Sequence, residues 1–402
     1  MLELEDAIGR ILAAIPSGGP ELIPLSAAHG RVLLETVVAP IDLPPFDNSA
    51  MDGYAVRARD TAGASRDNPV RLKLAGKIAA GETAAAIVEP GCALRIFTGS
   101  PMPAGADSVV MQEDTMTDAE DPDYVSVLEP TRAWENVRLR GEDVRAGSKV
   151  IDHGQSLSAG VLSLLAALGV TEVRVGRQPT VGILATGSEL REPGQELTRG
   201  QIYESNRIGV SAMVRSAGAN PIILPIVADS LDRTVHAISE ALSRCDILVT
   251  IGGASVGEFD LIKPAMKQIG GSLDFWKVAI KPGRPFVFGQ AGAKLIFGLP
   301  GNPVSALVTF LLLVRPALRR WQGAKETALR TLQGRLAEPL NNRDSRRHFV
   351  RVKINSDGQV RIAGPQASHM LSSFAGANGL LDMSPQTSLS QGHLVTVRIW
   401  EI

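Results

Sequence analysis

The chain has little cysteine, almost no net charge and no long apolar run. Its two cysteines, Cys92 and Cys245, are too few and too far apart for a disulfide framework or a zinc site, and they read as reduced packing thiols. Lys+Arg is 41 against Asp+Glu 42, a formal net charge of -1. No global field points to nucleic acid or to an anionic membrane, so any anion site has to be local. The longest apolar run, "ALVTFLLLV" before Arg315, is much too short to span a bilayer. The opening "MLELEDAIGRILAAI" carries acids where a secretory leader carries basic residues. An amphipathic helix is expected there, and a cytoplasmic location for the protein.

What is present is a long chain with four regions of different pattern. At 402 residues there is room for two to four domains of roughly 100–200 residues each. The hydrophobic fraction of 44% is that of a globular protein. Residues 1–45 hold the helix and an extended stretch ending in "IDLPPFDNSAMDG". Residues 46–143 are short apolar runs cut by glycine and proline, the mark of a small β domain. "LSAGVLSLLAALG" then resumes helical spacing, so the β segment reads as an insertion into a helical region comprising 1–45 and 144–176. From 177 to 328 strands alternate with helices: "PTVGILATG", "NPIILPIV" and "DILVTIGG" are strands, "NRIGVSAMVRSAG" and "SLDRTVHAISEALSRC" helices. The second helix places Val235, Ile238 and Leu242 on one face after an Asp229–Ser230 cap. "KLIFGLPGNPVSALVTFLLL" is a strand running into a helix with Asn302 as N-cap and Pro303 at the first helical position. This alternation predicts a parallel sheet covered on both faces. Residues 329–402 return to period two, with Val350, Val352 and Ile354 on one side and Arg351 and Lys353 on the other, and read as a small all-β domain.

In open α/β sheets ligands sit beyond the carboxyl ends of the strands. Three strands end there in polar, glycine-rich turns: "ATGSEL", "GGASVGEFD" and "GLPGNPVS". Gly252, Gly253 and Gly257 permit close backbone approach, successive free N–H groups form a nest for oxyanions, and Ser255 adds a hydroxyl. Neither the dinucleotide fingerprint nor the P-loop is present. Taken singly, each string is equally a simple turn. The turn at Pro300, Gly301, Asn302, Pro303 and Ser305 adds a helix N-terminus that favours an anion. Lys277, Lys281 and Arg284 lie between, in "WKVAIKPGRP". Lys277 and Lys281, an even number apart, share a face if the segment is a strand. Such a pair is ordinarily solvated surface; between two anion-favouring turns it reads as part of a site.

Carboxylates crowd the same region: Glu189 after the first strand, Glu258 and Asp260 after the third, with Asp52 in "DNSAMDGYAVR" and Asp143 in "RGEDV". Some are plain turn formers. An anion site ringed by acids is consistent when a hard divalent cation bridges the two, since Mg²⁺ takes one or two carboxylates plus phosphate oxygens. Glu189 and Asp260 are the candidate metal ligands.

"FDNSAMDGYAVR", "RIFTGSPMPAGAD", "ATGSEL", "YESN", "GGASVGEFD", "KPGRP" and "GLPGNPVS", in this order and spacing, resemble the molybdopterin molybdenumtransferases, the MoeA/gephyrin family. The resemblance implies a multi-domain α/β plus β fold: a central α/β domain like that of molybdopterin adenylyltransferases, an inserted β domain, a helical connecting domain and a C-terminal β domain. It implies that adenylyl-molybdopterin and molybdate are the substrates, that molybdenum is inserted with release of AMP, and that Mg²⁺ is required. By position, Asp52, Asp143, Glu189 and Asp260 match the family's functional acids. Thr98, Ser255, Lys277, Lys281, Arg284, Pro300, Pro303 and Ser305 match its binding positions. The family is dimeric, with clefts shared between subunits, and an adenylyltransferase partner could dock to transfer substrate. Arg284 stands where the family commonly has lysine, keeping the charge but presenting a fork instead of a point donor. The competing readings are a molybdopterin adenylyltransferase, which needs no inserted β domain, and a non-catalytic scaffold of the same fold, which need not keep Asp52, Glu189 and Asp260.

Overall fold

A computed structural model describes residues 1–82, 87–253 and 261–400, in two units. One comprises Met1–Glu35, His153–Ser158 and Glu172–Ile402, the other Thr36–Asp152 and Ala159–Thr171.

The first unit is built on a six-stranded sheet in the order Asn220–Ile223, Thr180–Ala185, Ile247–Ile251, Lys294–Leu299, Val287–Ala291 and Ser272–Trp276. Residue parity explains why both faces are covered. Val181, Ile183, Ile247, Val249, Ile251, Leu295, Phe297 and Leu299 pack into one apolar cluster, while Leu184, Leu248 and Ile296 pack into another on the opposite face. The helices Leu4–Ala14, Asn206–Ser216 and Pro303–Thr309 cover the first face; Leu231–Arg244 and Ile262–Gln268 cover the second. Leu4, Ala7 and Ile11 bury one stripe of the opening helix, as its spacing predicts. Ile238 is buried, with Val235 and Leu242 packed beside it. Pro303 starts its helix, which widens over Phe310–Val314 and resumes as Arg315–Trp321. The widening ends two residues before Pro316, which has no N–H to donate back.

The sheet differs from the expected all-parallel one. The first four strands in this order are parallel, but Val287–Ala291 runs antiparallel to Lys294–Leu299, and Ser272–Trp276 antiparallel to Val287–Ala291. The turn at Gly292, φ 57, reverses the chain directly instead of crossing over through a helix.

The C-terminal strands Arg330–Leu336, Arg347–Ile354, Gln359–Ile362, Gly379–Met383 and Leu394–Ile399 close into a barrel, because Arg347–Ile354 pairs with both Gln359–Ile362 and Gly379–Met383. Val350, Val352 and Ile354 fill its interior with Leu336, Val360, Leu381 and Val397. Arg351, on the opposite side of its strand from these residues, is also fully buried. Its guanidinium donates to Ser373 Oγ at 2.8 Å and to the Pro365 and Ala367 carbonyls at 2.9 and 3.2 Å, and burial pulls its pKa down to about 10. The segment following the barrel strand folds over it.

In the second unit a six-stranded sheet runs Ser108–Met111, Gly53–Val56, Cys92–Ile96, Val70–Ile78, Asp121–Val127 and Thr115–Asp118. Tyr54, Val56, Leu72, Ala93, Val110, Val125 and Val127 form its core. The connecting segments divide between the units. Pro20–Pro24 pairs with Glu172–Gly176 in the first, while Val37–Val38 pairs with Lys149–Ile151, and the helix Ala159–Ala167 lies, in the second. Cys245 is buried and Cys92 half-buried, both as free thiols.

Candidate functional site

Strand register brings three turns to one edge. Leu184, Thr250 and Gly298 lie in one row across the parallel strands, so the chain leaves all three at the same end. Gly301 sits against Gly252: a Cβ on Gly301 would stand 3.6 Å from the Gly252 Cα. Gly252 in turn packs on the first turn, since a Cβ there would come 2.6 Å from the Thr186 carbonyl oxygen. Asn206, opening the helix after "YESN", donates through Nδ2 to the Gly301 carbonyl at 2.8 Å. The three turns are therefore one structure.

The donors it presents differ from those expected. Gly252 N–H is not free for an oxyanion; it donates to the Leu299 carbonyl at 3.1 Å. The positive φ values of Gly252 (87°) and Gly253 (61°), with Thr186 and Ile262 against them, make glycine necessary for packing between turns. At the helix start Pro303 has no N–H, and Val304 N–H donates to the Ser368 carbonyl at 3.1 Å, so the first two positions offer no donor to a ligand. Asn302 is the N-cap, without a side-chain cap bond. Pro300 is buried and Ser305 only 4% exposed, while Gly301 and Asn302 are exposed. Ser255, Gly257, Glu258 and Asp260 lie outside the described residues.

The basic segment is not one strand. Ser272–Trp276 ends before Lys277, which is left-handed at φ 76°, and Ile280–Lys281 is a two-residue strand on the C-terminal barrel, parallel to Arg347–His348. Lys277 and Lys281 thus do not share a strand face. Lys281 Nζ lies 3.5 Å from an Asp344 carboxylate oxygen, and Arg284 is exposed.

Glu189 is exposed in the first turn, and its carboxylate folds back so that a Cβ on Gly187 would meet it at 2.7 Å. Ser188 and Asp229 exchange hydrogen bonds: Ser188 N–H donates to the Asp229 carboxylate and Asp229 N–H to Ser188 Oγ, both at 3.0 Å. Asp229 is therefore not a helix cap. Ser230 takes the N-cap position and its carbonyl, not its side chain, accepts from Thr234 N–H. Behind this turn Arg207, nearly fully buried, pairs with buried Glu204 at 2.8 Å and with Glu192 at 2.7 Å, tying the first turn's exit to the following helix. Thr186 Oγ1 is buried without a hydrogen-bond partner among the described residues. Thr186, Asp229 and Asn206 are the additions geometry makes to the motif residues. Among the described residues no group of three or more His, Cys, Asp or Glu side chains could hold a metal.

In the second unit Asp52 is exposed, and one of its carboxylate oxygens accepts from both the N–H and the hydroxyl of Thr98. Those bonds, the backbone one foremost, hold its pKa below the ordinary aspartate value, with Arg95 adding attraction. Asp143 is exposed, its N–H donating to the Leu43 carbonyl. Asp47, in the same stretch as Asp52, accepts instead from Arg140 N–H at 2.7 Å and has a structural bond.

Residues 2–169 match the family described as MoeA N-terminal region (domain I and II), 182–320 a probable molybdopterin binding domain, and 333–400 the MoeA C-terminal region (domain IV). Molybdopterin molybdenumtransferase 2 of Mycobacterium tuberculosis is 39% identical over 389 residues, covering 95% of this chain and 95% of its own. Molybdopterin molybdenumtransferase of Haemophilus influenzae is 37% identical over 408 residues, covering 99% and 98%. A crystal structure of the molybdopterin biosynthesis moeA protein from Pyrococcus horikoshii OT3 superposes with a TM-score of 0.86 at 31% identity, covering 100% of both chains.

Proposed function

The chain belongs to the molybdopterin molybdenumtransferase family, an enzyme family, and from that premise we propose that it inserts molybdenum from molybdate into adenylyl-molybdopterin with release of AMP in molybdenum cofactor biosynthesis. The observation that carries the reading is the convergence of the turns at Thr186–Glu189, Gly252–Gly253 and Pro300–Asn302 on one edge of the sheet.

In this reading each residue has a task. Asn206 fixes the exposed Gly301 turn, where the substrate phosphates would approach closely packed backbone. Lys277 and Arg284 supply positive charge for molybdate and the pyrophosphate. Lys281 is released for the same task when an anion competes with Asp344 for its ammonium group. Glu189, beside the Ser188–Asp229 pair, offers the hard oxygen donors that Mg²⁺ takes, with substrate phosphates completing the shell, so the donor chemistry fits that ion. Asp260 is the second proposed ligand. When bound, Mg²⁺ would supply Lewis-acid polarisation of the phosphoanhydride. Asp52, kept ionised by Thr98, orients the reacting groups or relays a proton.

We place the enzyme in the cytoplasm as a homodimer whose clefts combine the α/β unit of one subunit with the β unit of the other, and to which an adenylyltransferase can deliver substrate. No helix among the described residues is long and apolar enough to cross a membrane.

The experiment is to give the purified protein adenylyl-molybdopterin and molybdate and to follow AMP release across a Mg²⁺ series. Release that requires molybdate and stops with chelator is expected. Release without molybdate, or at the same rate in chelator, overturns the reading.

A further inference from the structure

At the same edge of the sheet Trp276 and Lys263, neither of which the proposed function uses, meet Lys277. Trp276 is 40% exposed, and two ammonium groups lie over its ring: Lys263 Nζ at 3.0 Å and Lys277 Nζ at 3.7 Å from the ring centroid. Trp276 ends its strand opposite Val287, which lies opposite Gly298. Because two successive antiparallel pairings restore the direction, this strand also ends at the ligand side, two strand spacings of about 4.8 Å from the "GLPGNP" strand. Lys263 reaches the ring from the helix Ile262–Gln268.

The arrangement is not what a regular strand end would give. Consecutive strand residues point to opposite faces, so Lys277 ought to project away from Trp276. Its left-handed backbone, φ 76°, turns the side chain onto the indole instead. A non-glycine residue in that conformation is strained, and such strain collects at binding sites. A partly exposed indole with ammonium groups over its ring holds both parts with which proteins bind a nucleotide: a ring that stacks on the base once the cations swing off it, and cations that take the phosphate.

We infer that Trp276 is the stacking platform for a fused-ring heterocycle carried on a phosphate, with Lys263 and Lys277 moving from the ring to that phosphate when the ligand arrives. This rests on the proposed function, whose substrate has two such rings, the adenine and the pterin, joined through a pyrophosphate.

The test is equilibrium binding of three probes, AMP, ribose 5-phosphate and neopterin, to the wild-type protein, Trp276→Ala and Trp276→Phe. If adenine stacks there, Trp276→Ala weakens AMP binding by about 5- to 150-fold, leaves ribose 5-phosphate unchanged, and Trp276→Phe restores most of the loss. If the pterin stacks there, the same pattern falls on neopterin. Where Trp276→Ala fails to fold, wild type and Trp276→Phe decide: stacking quenches indole fluorescence in the wild type, and the quench disappears in Trp276→Phe while binding persists. Unchanged affinity for both ring-bearing probes in folded Trp276→Ala, or an identical quench in Trp276→Phe, overturns the inference. Molybdate-dependent AMP release by the wild type, measured alongside, tests the proposed function separately.

Discussion

Asp52 receives two hydrogen bonds on one carboxylate oxygen from one residue, Thr98, through its N–H at 2.7 Å and its hydroxyl at 2.8 Å. Both favour the charged form and set its pKa below 3.8. A carboxylate depressed in the folded state contributes stability above its unfolded pKa and loses it as pH falls through the folded one. Thr98→Val removes the hydroxyl bond and leaves the backbone bond. The Asp52 pKa should rise toward 3.8, and the acid limb of AMP release should move to higher pH at unchanged fold. Carboxyl NMR titration checks the first and a pH–rate profile the second; an unmoved limb would mean that Asp52 does not govern it.

The glycines of the site separate into two kinds. Gly252 is left-handed at φ 87° and tight against Thr186, whereas a Cβ on Gly301 meets only the Gly252 Cα at an ordinary contact distance of 3.6 Å. Gly252→Ala should lose about 1–3 kcal/mol in urea unfolding from backbone strain alone. Gly301→Ala should unfold like the wild type yet bind AMP more weakly, because its new methyl obstructs the exposed turn. Equal stability of the two variants would contradict the packing account.

Arg207 holds two carboxylates and the Leu224 carbonyl from a buried position beneath the Glu189 turn. Arg207→Ala strands Glu204 as a buried charge, and should destabilise the protein by about 3–5 kcal/mol in chemical denaturation. A loss below about 1 kcal/mol would show Glu204 relaxing to water instead.

The sheet's buried strands were legible because runs such as "DILVTIGG" are apolar on both parities and end in glycine. Their helices were legible from spacing. Strand direction was not: Val287–Ala291 and Ser272–Trp276 look like any short apolar run, and the antiparallel reversal turns on Gly292. At the site, the motifs marked the turns but not which groups remain available. Gly252 N–H and Val304 N–H are taken by Leu299 and Ser368, partners remote in sequence. Asp229 read as a helix cap because an acid followed by serine before a helix usually is one. Its bond to Ser188 crosses between elements, and no local pattern encodes that. Arg351 alternates like a solvated residue, yet carbonyls of the segment following the barrel strand enclose it.

The proposed sharing of the cleft between subunits makes a prediction about mixtures. Asp52→Asn and Glu189→Gln should each be inactive as homodimers. A mixed dimer pairs one intact α/β unit with one intact β unit, so random subunit exchange should restore about a quarter of wild-type AMP release in a twofold-symmetric assembly. No activity above either parent, with exchange verified by mass, would place both acids in one subunit's site.

His348 is a buried titratable group of the C-terminal barrel. It is 8% exposed at the barrel end, and its Nε2 has no hydrogen-bond partner among the described residues. Burial, reinforced by the positive charges of Lys281, Arg351 and Arg346, lowers its pKa from 6.5 to about 4, with Asp344 opposing. The imidazole is therefore neutral when folded and binds a proton more readily when unfolded. Since the unfolded state takes up more protons between pH 6.5 and about 4, stability rises with pH across that window and is lost on acidification. The full difference corresponds to roughly 3 kcal/mol. His348→Gln keeps a polar group of similar length that does not titrate. Its melting temperature should stay flatter than the wild type's from pH 6.5 down to 4, while the two converge in slope above pH 7. A parallel acid decline in both proteins would assign that loss to the depressed carboxylates, such as Asp246 and Asp344, instead of to His348.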